Sequence, residues 1–219
     1  MITNPHAITV LCYGDSNTHG ERAEEQDLGR WPADVRWTGQ VQNLLGDGYY
    51  VIEAGLGGRT TDVDYVDRPG LNGRTHLLPT LYSHNPLDLV VLMLGTNDVK
   101  NLFGRTAAQI AAAVGGLLDD IAEYGADRDG RPPRVLVLSP APCDERVLED
   151  GDRPYDAGSV AVSRELAAEF GKVAAARGAA FADAGTVARV GADGIHLTRG
   201  SHDTLAALVG TWITENLAL

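Results

Sequence analysis

The sequence predicts one α/β domain over residues 1–219, built on a mainly parallel five-stranded sheet with helices on both faces. Three observations predict it. Five apolar runs are each too short for a helix. Longer stretches with helical spacing lie between them, and strands alternating with helices mean βαβ units. A chain of 219 residues suits one such domain and can bury roughly 70% of the surface its unfolded form exposes.

Taken in order, the runs are Ile8–Tyr13, Tyr49–Ala54, Leu89–Leu94 and Val135–Leu138, with a weaker fifth over Ala179–Ala182. Three are nearly continuous in Val, Ile and Leu, the composition of strands covered on both sides. Helical spacing appears over Thr38–Leu45, Thr75–Ser83, and two long Ala-rich stretches, Thr106–Tyr124 and Val160–Arg177. A last helix, Ser201–Leu217, closes the chain, with Ser201 as its expected cap. The segments Asp127–Pro133 and Asp144–Gly158 are rich in Gly, Pro and charge and read as surface loops.

A net charge of −12 argues against nucleic acid or an anionic membrane surface as a partner. No apolar run approaches the ~20 residues of a membrane span. Met1–His6 lacks the basic start and apolar stretch of a signal peptide. Cys12 and Cys143 are the only cysteines, too few for a disulfide framework. The expectation is a cytoplasmic protein. The histidines form no pairs at helical ligand spacing, so no metal is expected; no cofactor is expected either. His76, His84 and His202 read as helix-surface residues.

The chemistry gathers where the strands end. Gly14-Asp15-Ser16-Asn17-Thr18-His19-Gly20 follows the first strand and Gly55-Leu56-Gly57-Gly58-Arg59-Thr60 the second. Gly95-Thr96-Asn97-Asp98 follows the third, and Asp193-Gly194-Ile195-His196 precedes the last helix. In open α/β sheets ligands bind beyond the carboxyl ends of the strands, where strand order reverses. All four blocks fall on that edge.

Acyl transfer by a serine needs a base to take its proton and a third group to fix the base's tautomer. Ser16, His196 and Asp193 are the right residue types. A carboxylate three positions before the histidine, with Gly194 between, allows a tight turn that brings it to the imidazole Nδ1. The developing oxyanion needs preorganised donors, and the amides of Ser16 and Gly58 with the side chain of Asn97 are candidates. Asn17, His19, Thr96 and Leu197 flank these residues and are candidate pocket positions. Asp15, Arg59 and Asp98 read as holding the loops by hydrogen bonds.

The set Ser16, Gly58, Asn97 and His196 resembles the four signature blocks of the SGNH (GDSL-like) hydrolase superfamily, in that family's chain order. Asp34–Gly39, Leu71-Asn72-Gly73, Asp88–Lys100 with Arg105-Thr106, and Asp193–Thr198 resemble its bacterial arylesterase/acyltransferase branch. The resemblance implies a flavodoxin-like three-layer α/β/α sandwich, a Ser16–His196–Asp193 triad, an oxyanion hole from Ser16, Gly58 and Asn97, and no metal. It also implies a small-molecule, short-chain ester as substrate, acyl transfer to alcohols beside hydrolysis, and a homo-oligomer. Asn17 and His19 stand where it implies apolar side chains, and Asp144–Gly158 is shorter and more charged than the apolar segment it implies. Since preference for an alcohol over water needs a dry pocket, hydrolysis is expected ahead of transfer.

Two rival readings are weaker. Gly55-Leu56-Gly57-Gly58 begins like a dinucleotide fingerprint, which would make the chain a nucleotide-binding protein, but Thr60 takes the place of the last glycine. An α/β-hydrolase elbow needs glycine two residues after the serine, and that position is Thr18.

Overall fold

The computed structural model describes residues 3–23, 29–151 and 153–217; Met1 and Ile2 of the N-terminal stretch discussed above lie outside them. Five strands, β1 (Ile8–Gly14), β2 (Tyr49–Gly55), β3 (Leu89–Met93), β4 (Arg134–Ser139) and β5 (Ala180–Asp183), form one sheet in the order β2-β1-β3-β4-β5. All four pairings are parallel. Among the described residues six α-helices connect or follow them: α1 (Ser16–His19), α2 (Trp37–Leu45), α3 (Gly73–His84), α4 (Ala107–Tyr124), α5 (Ala157–Ala176) and α6 (Arg199–Asn216).

Side chains along a strand alternate between faces, and here both faces are apolar. Leu11 and Tyr13 of β1 with Val90 and Leu92 of β3 meet Leu77 of α3, Ile110 and Leu117 of α4, and Phe170 of α5. Val10 and Cys12 with Leu89, Val91 and Met93 meet Trp37 and Val41 of α2 and Leu205, Val209 and Ile213 of α6. The result is three layers, with α3, α4 and α5 on one side and α2 and α6 on the other. Among the described residues no helix is long and apolar enough to cross a membrane.

Caps fix where the long helices begin. Thr106 and Gln109 satisfy each other's backbone amides in a capping box ahead of α4, and Asp156 with Ser159 does the same for α5. The cap of α6 corrects the sequence expectation: Thr198, not Ser201, accepts the amide of Ser201, at 3.1 Å. The Ser201 hydroxyl instead takes the amide of Arg189, at 2.8 Å, and donates to the Arg189 carbonyl. That tethers the loop before α6 to its first turn.

His202 is the second correction. Expected on the surface of α6, it is fully buried. Its Nδ1 accepts the backbone N–H of Trp37 at 3.3 Å, so it joins the start of α2 to the start of α6. Burial, helped by the nearby Arg36 and only partly opposed by Asp203, pushes its pKa down to about 4, because a charged imidazole there loses its hydration. His76 is exposed and His84 half-buried.

Strand order reverses between β1 and β3. The chain leaves β1 at Gly14 and β3 at Met93, side by side in register, and both continue into loops at the same sheet edge. This is the switch point at which such sheets bind ligands.

Candidate active site

Ser16 is the first residue of α1, where a helix amide has no partner within the helix. The turn is held by Asp15, whose carboxylate accepts the Asn17 amide at 2.9 Å. Asp15 is fully buried, and burial pushes its carboxyl up to about 6. Gly14 is required at the strand end, since a Cβ there would lie 2.1 Å from the Thr18 hydroxyl and 2.7 Å from the Met93 carbonyl.

The imidazole of His196 bridges two partners. Its Nε2 lies 3.0 Å from Ser16 Oγ, and its Nδ1 lies 2.5 Å from Asp193 Oδ2. The other carboxylate oxygen of Asp193 accepts the amides of Ile195 and His196 at 3.0 and 2.9 Å. Arg153 reaches the carboxylate at 3.3 Å. Burial alone would raise the Asp193 carboxyl, but the hydrogen bond and charge of His196 and the two amides outweigh it and hold it at about 2. Gly194 makes the turn with φ +72°, and a Cβ there would stand 2.4 Å from the Val147 nitrogen.

Asn17, a candidate pocket residue, does other work. Its Oδ1 accepts the Leu197 amide at 2.9 Å and its Nδ2 donates to the Ile195 carbonyl at 3.3 Å. It therefore clasps the His196 turn to the helix carrying Ser16. His19 is half-buried against Gly55 and gives its carbonyl to Arg30. Thr96 is buried with its carbonyl toward Tyr155, and Leu197 packs in the core beneath α2 and α6. None of these four lines the cleft beside Ser16.

That cleft has a volume of about 290 Å³, and Ser16, Gly58, Asn97 and His196 all line it. Gly58 sits at φ +83°, in a turn closed by the Arg59 amide on the Leu56 carbonyl. Asn97 Nδ2 donates to the Arg59 carbonyl at 3.1 Å. A carboxamide has a second N–H, which remains for the cleft. Arg59 donates to the carbonyls of Gly14 and Ala54 and lies over the Tyr13 ring. Asp98 accepts from the amide and hydroxyl of Thr61 and pairs with Arg105 at 3.0 Å. The Gly-rich loop, the nitrogen of Asn97 and the end of β1 are thus tied into one frame.

Glu21, Arg68, Lys100, Arg153 and Tyr155 also line the cleft. Only Lys100 lay within a block that the sequence marks. The others come from loops, where neither periodicity nor spacing gives a signal. No helix opens after Gly58 until Gly73, so the Gly-rich loop has no helix N-terminus on which to seat a phosphate. Among the described residues no group of three or more His, Cys, Asp or Glu is placed to hold a metal ion.

A hydroxyl, an imidazole and a carboxylate in this order can move a proton from oxygen to nitrogen, beside donors able to hold a negative oxygen. An aryl esterase from M. smegmatis is 36% identical, with a TM-score of 0.90 over 96% of this chain and 100% of its own. A carbohydrate acetylesterase from Sinorhizobium meliloti is 36% identical, with a TM-score of 0.87 over 95% and 99%. An acetylxylan esterase from Xylanibacter ruminicola is 27% identical over 75% of this chain, which spans only 35% of that protein's length. The model of the GDSL-like Lipase/Acylhydrolase family matches residues 12–203. The chain belongs to that family of ester hydrolases, in its SGNH branch.

Proposed function

We propose that this chain is a serine esterase acting on short acyl esters of the acetyl type, with Ser16 as nucleophile, His196 as general base and acid, and Asp193 orienting the imidazole. The reading rests on one observation above all: Ser16 Oγ, His196 and Asp193 form a continuous hydrogen-bonded line of 3.0 and 2.5 Å. Ser16 attacks the ester carbonyl as His196 takes its proton. The amides of Ser16 and Gly58 and the side chain of Asn97 hold the oxyanion, and His196 protonates the departing alcohol. Water then attacks the acyl-serine with His196 again as base.

The acetyl preference is supported by the two relatives named as acetylesterases. Water is the main acceptor on this reading, and alcohols are a minor one. The charged groups around the cleft hydrate it, whereas selective transfer needs water excluded. The test is hydrolysis of 4-nitrophenyl acetate. Ser16→Ala should lose at least about 10³-fold in kcat while keeping the circular-dichroism spectrum of the parent. Near-normal turnover by that variant would overturn the assignment.

A further inference from the structure

Lys100 is nine-tenths buried, yet its ammonium has no carboxylate partner among the described residues. It donates to the Tyr65 hydroxyl at 2.9 Å and faces the rings of Tyr65 and Tyr155 at 5.1 and 5.7 Å. A buried ammonium held by one phenol hydroxyl and one ring face, with the carboxylates of Asp15, Asp98 and Glu21 acting on it only from beyond ion-pair distance, is under-compensated, because burial strips hydration that such partners only partly replace. Burial and the nearby Arg68, only partly opposed by the more distant Asp15, Asp98 and Glu21, push its pKa down to about 8. Arg68 is the second cation. Its guanidinium carbon lies 5.4 Å from the Tyr65 ring centroid, and a guanidinium nitrogen is 3.1 Å from where a Cβ on Gly58 would sit. It too has no carboxylate partner among the described residues.

Both cations line the cleft that holds Ser16, in a chain with 30 acidic and 18 basic residues. The remaining charges there differ. Arg153 is committed to Asp150 and Asp193, and Glu21 stands 3.7 Å from His196 Nε2. We infer that Lys100 and Arg68 form a subsite for a carboxylate carried by the substrate ester. This rests on the esterase reading and specifies its substrate. An acetyl group of three heavy atoms fills only part of a cleft of about 290 Å³, given that one water takes ~30 Å³ in the liquid. With an acetyl-type acyl group, the carboxylate therefore belongs to the alcohol half. The Lys100 ammonium then gains its missing counter-ion on binding, and a charge-assisted bond of this kind is worth about tenfold or more in kcat/KM.

Two matched pairs of esters test it. The first is 4-acetoxybenzoate against its methyl ester, which puts the charge on the alcohol. The second is mono-4-nitrophenyl adipate against its methyl ester, which puts it on the acyl group. The readout is the ratio of kcat/KM for charged over neutral ester, in the parent protein, Lys100→Met and Arg68→Gln. The ratio for the first pair should fall about tenfold in Lys100→Met and several-fold in Arg68→Gln, and in the parent it should fall as salt screens the charges. A fall confined to the second pair keeps the carboxylate subsite but moves it to the acyl half. Ratios that neither variant nor salt changes, with Ser16-dependent hydrolysis intact, overturn the subsite and leave the esterase reading standing. Hydrolysis that survives Ser16→Ala, or none of any ester, overturns both. Arg68 is on the exposed rim, so its variant and the salt titration decide the matter even if Lys100→Met does not fold.

Discussion

At Ser16 the decisive quantity is how readily a hydroxyl gives up its proton, and its partners differ in what they supply. Asp193, held at about 2, stays ionised through the neutral range, and on the proposed mechanism it keeps the proton of His196 on Nδ1. Asp193→Asn can accept or donate at that position and allows the wrong tautomer. It should cost about 10³–10⁴-fold in kcat with KM little changed, and a stopped assay on 4-nitrophenyl acetate checks this. On the proposed mechanism Asn97 acts only as charge develops on the carbonyl oxygen. Asn97→Ala should lower kcat about 100-fold or more, and since its other N–H bonds the Arg59 carbonyl, a small fall in melting temperature should accompany it. That Ser16, Asn97, Asp193 and His196 come together was legible in the sequence because each stands at a strand end or beside the last helix in a recognisable block. Glu21, Arg68 and Arg153 were not, because a loop side chain's direction is set by tertiary contacts alone. Lys100 stood in plain view three residues past Asn97, but nothing in the sequence says that its tail turns into the cleft.

The groups that meet in the cleft sit on separate elements. The strands were legible because both faces of a parallel sheet are covered, which forces unbroken runs such as Leu89–Met93. The four-residue helix α1 was not foreseen. It is too short for periodicity to register and exists because Asp15 caps it and Gly20, in left-handed conformation, ends it. Proximity to Ser16 in sequence is likewise a poor guide to which side chains line the cleft. A one-turn helix aims adjacent side chains in different directions, so Asn17 reaches the His196 turn and His19 lies over Gly55. The clasp makes a prediction at this scale. Asn17→Ala removes both bonds to the 195–197 segment and should lower kcat about 10- to 100-fold through a looser imidazole. Asn17→Asp restores only the acceptor for the Leu197 amide and should recover part of that loss. Equal activity in all three proteins would show that the turn holds itself.

For the whole molecule, the two helical layers meet the sheet independently, and α2 and α6 are joined at their starts by His202. The position of that histidine defeated the sequence reading because the amide it accepts, Trp37, lies 165 residues away. Its folded pKa of about 4 is below the ordinary value of 6.5, so the unfolded chain takes up its proton first as pH falls. The stability due to neutral His202 is therefore complete above about pH 6.5 and is lost as pH falls through about 4, a change on the order of 3 kcal/mol. His202→Asn keeps an acceptor for the Trp37 amide but does not titrate. The stability of the parent relative to this variant, from urea unfolding, should decline between pH 6.5 and 4, while Asp15 and Asp98 titrate in both proteins and cancel. A constant difference would contradict the assignment. The fold as a whole serves to bring residue 16 and residue 196 together at one sheet edge, and the most direct test of that claim is covalent. Intact-mass and peptide analysis after treatment with a fluorophosphonate should show one adduct, on Ser16, absent in Ser16→Ala and formed far more slowly in His196→Ala. An adduct on another residue, or equal labelling of Ser16 without the imidazole, would contradict it.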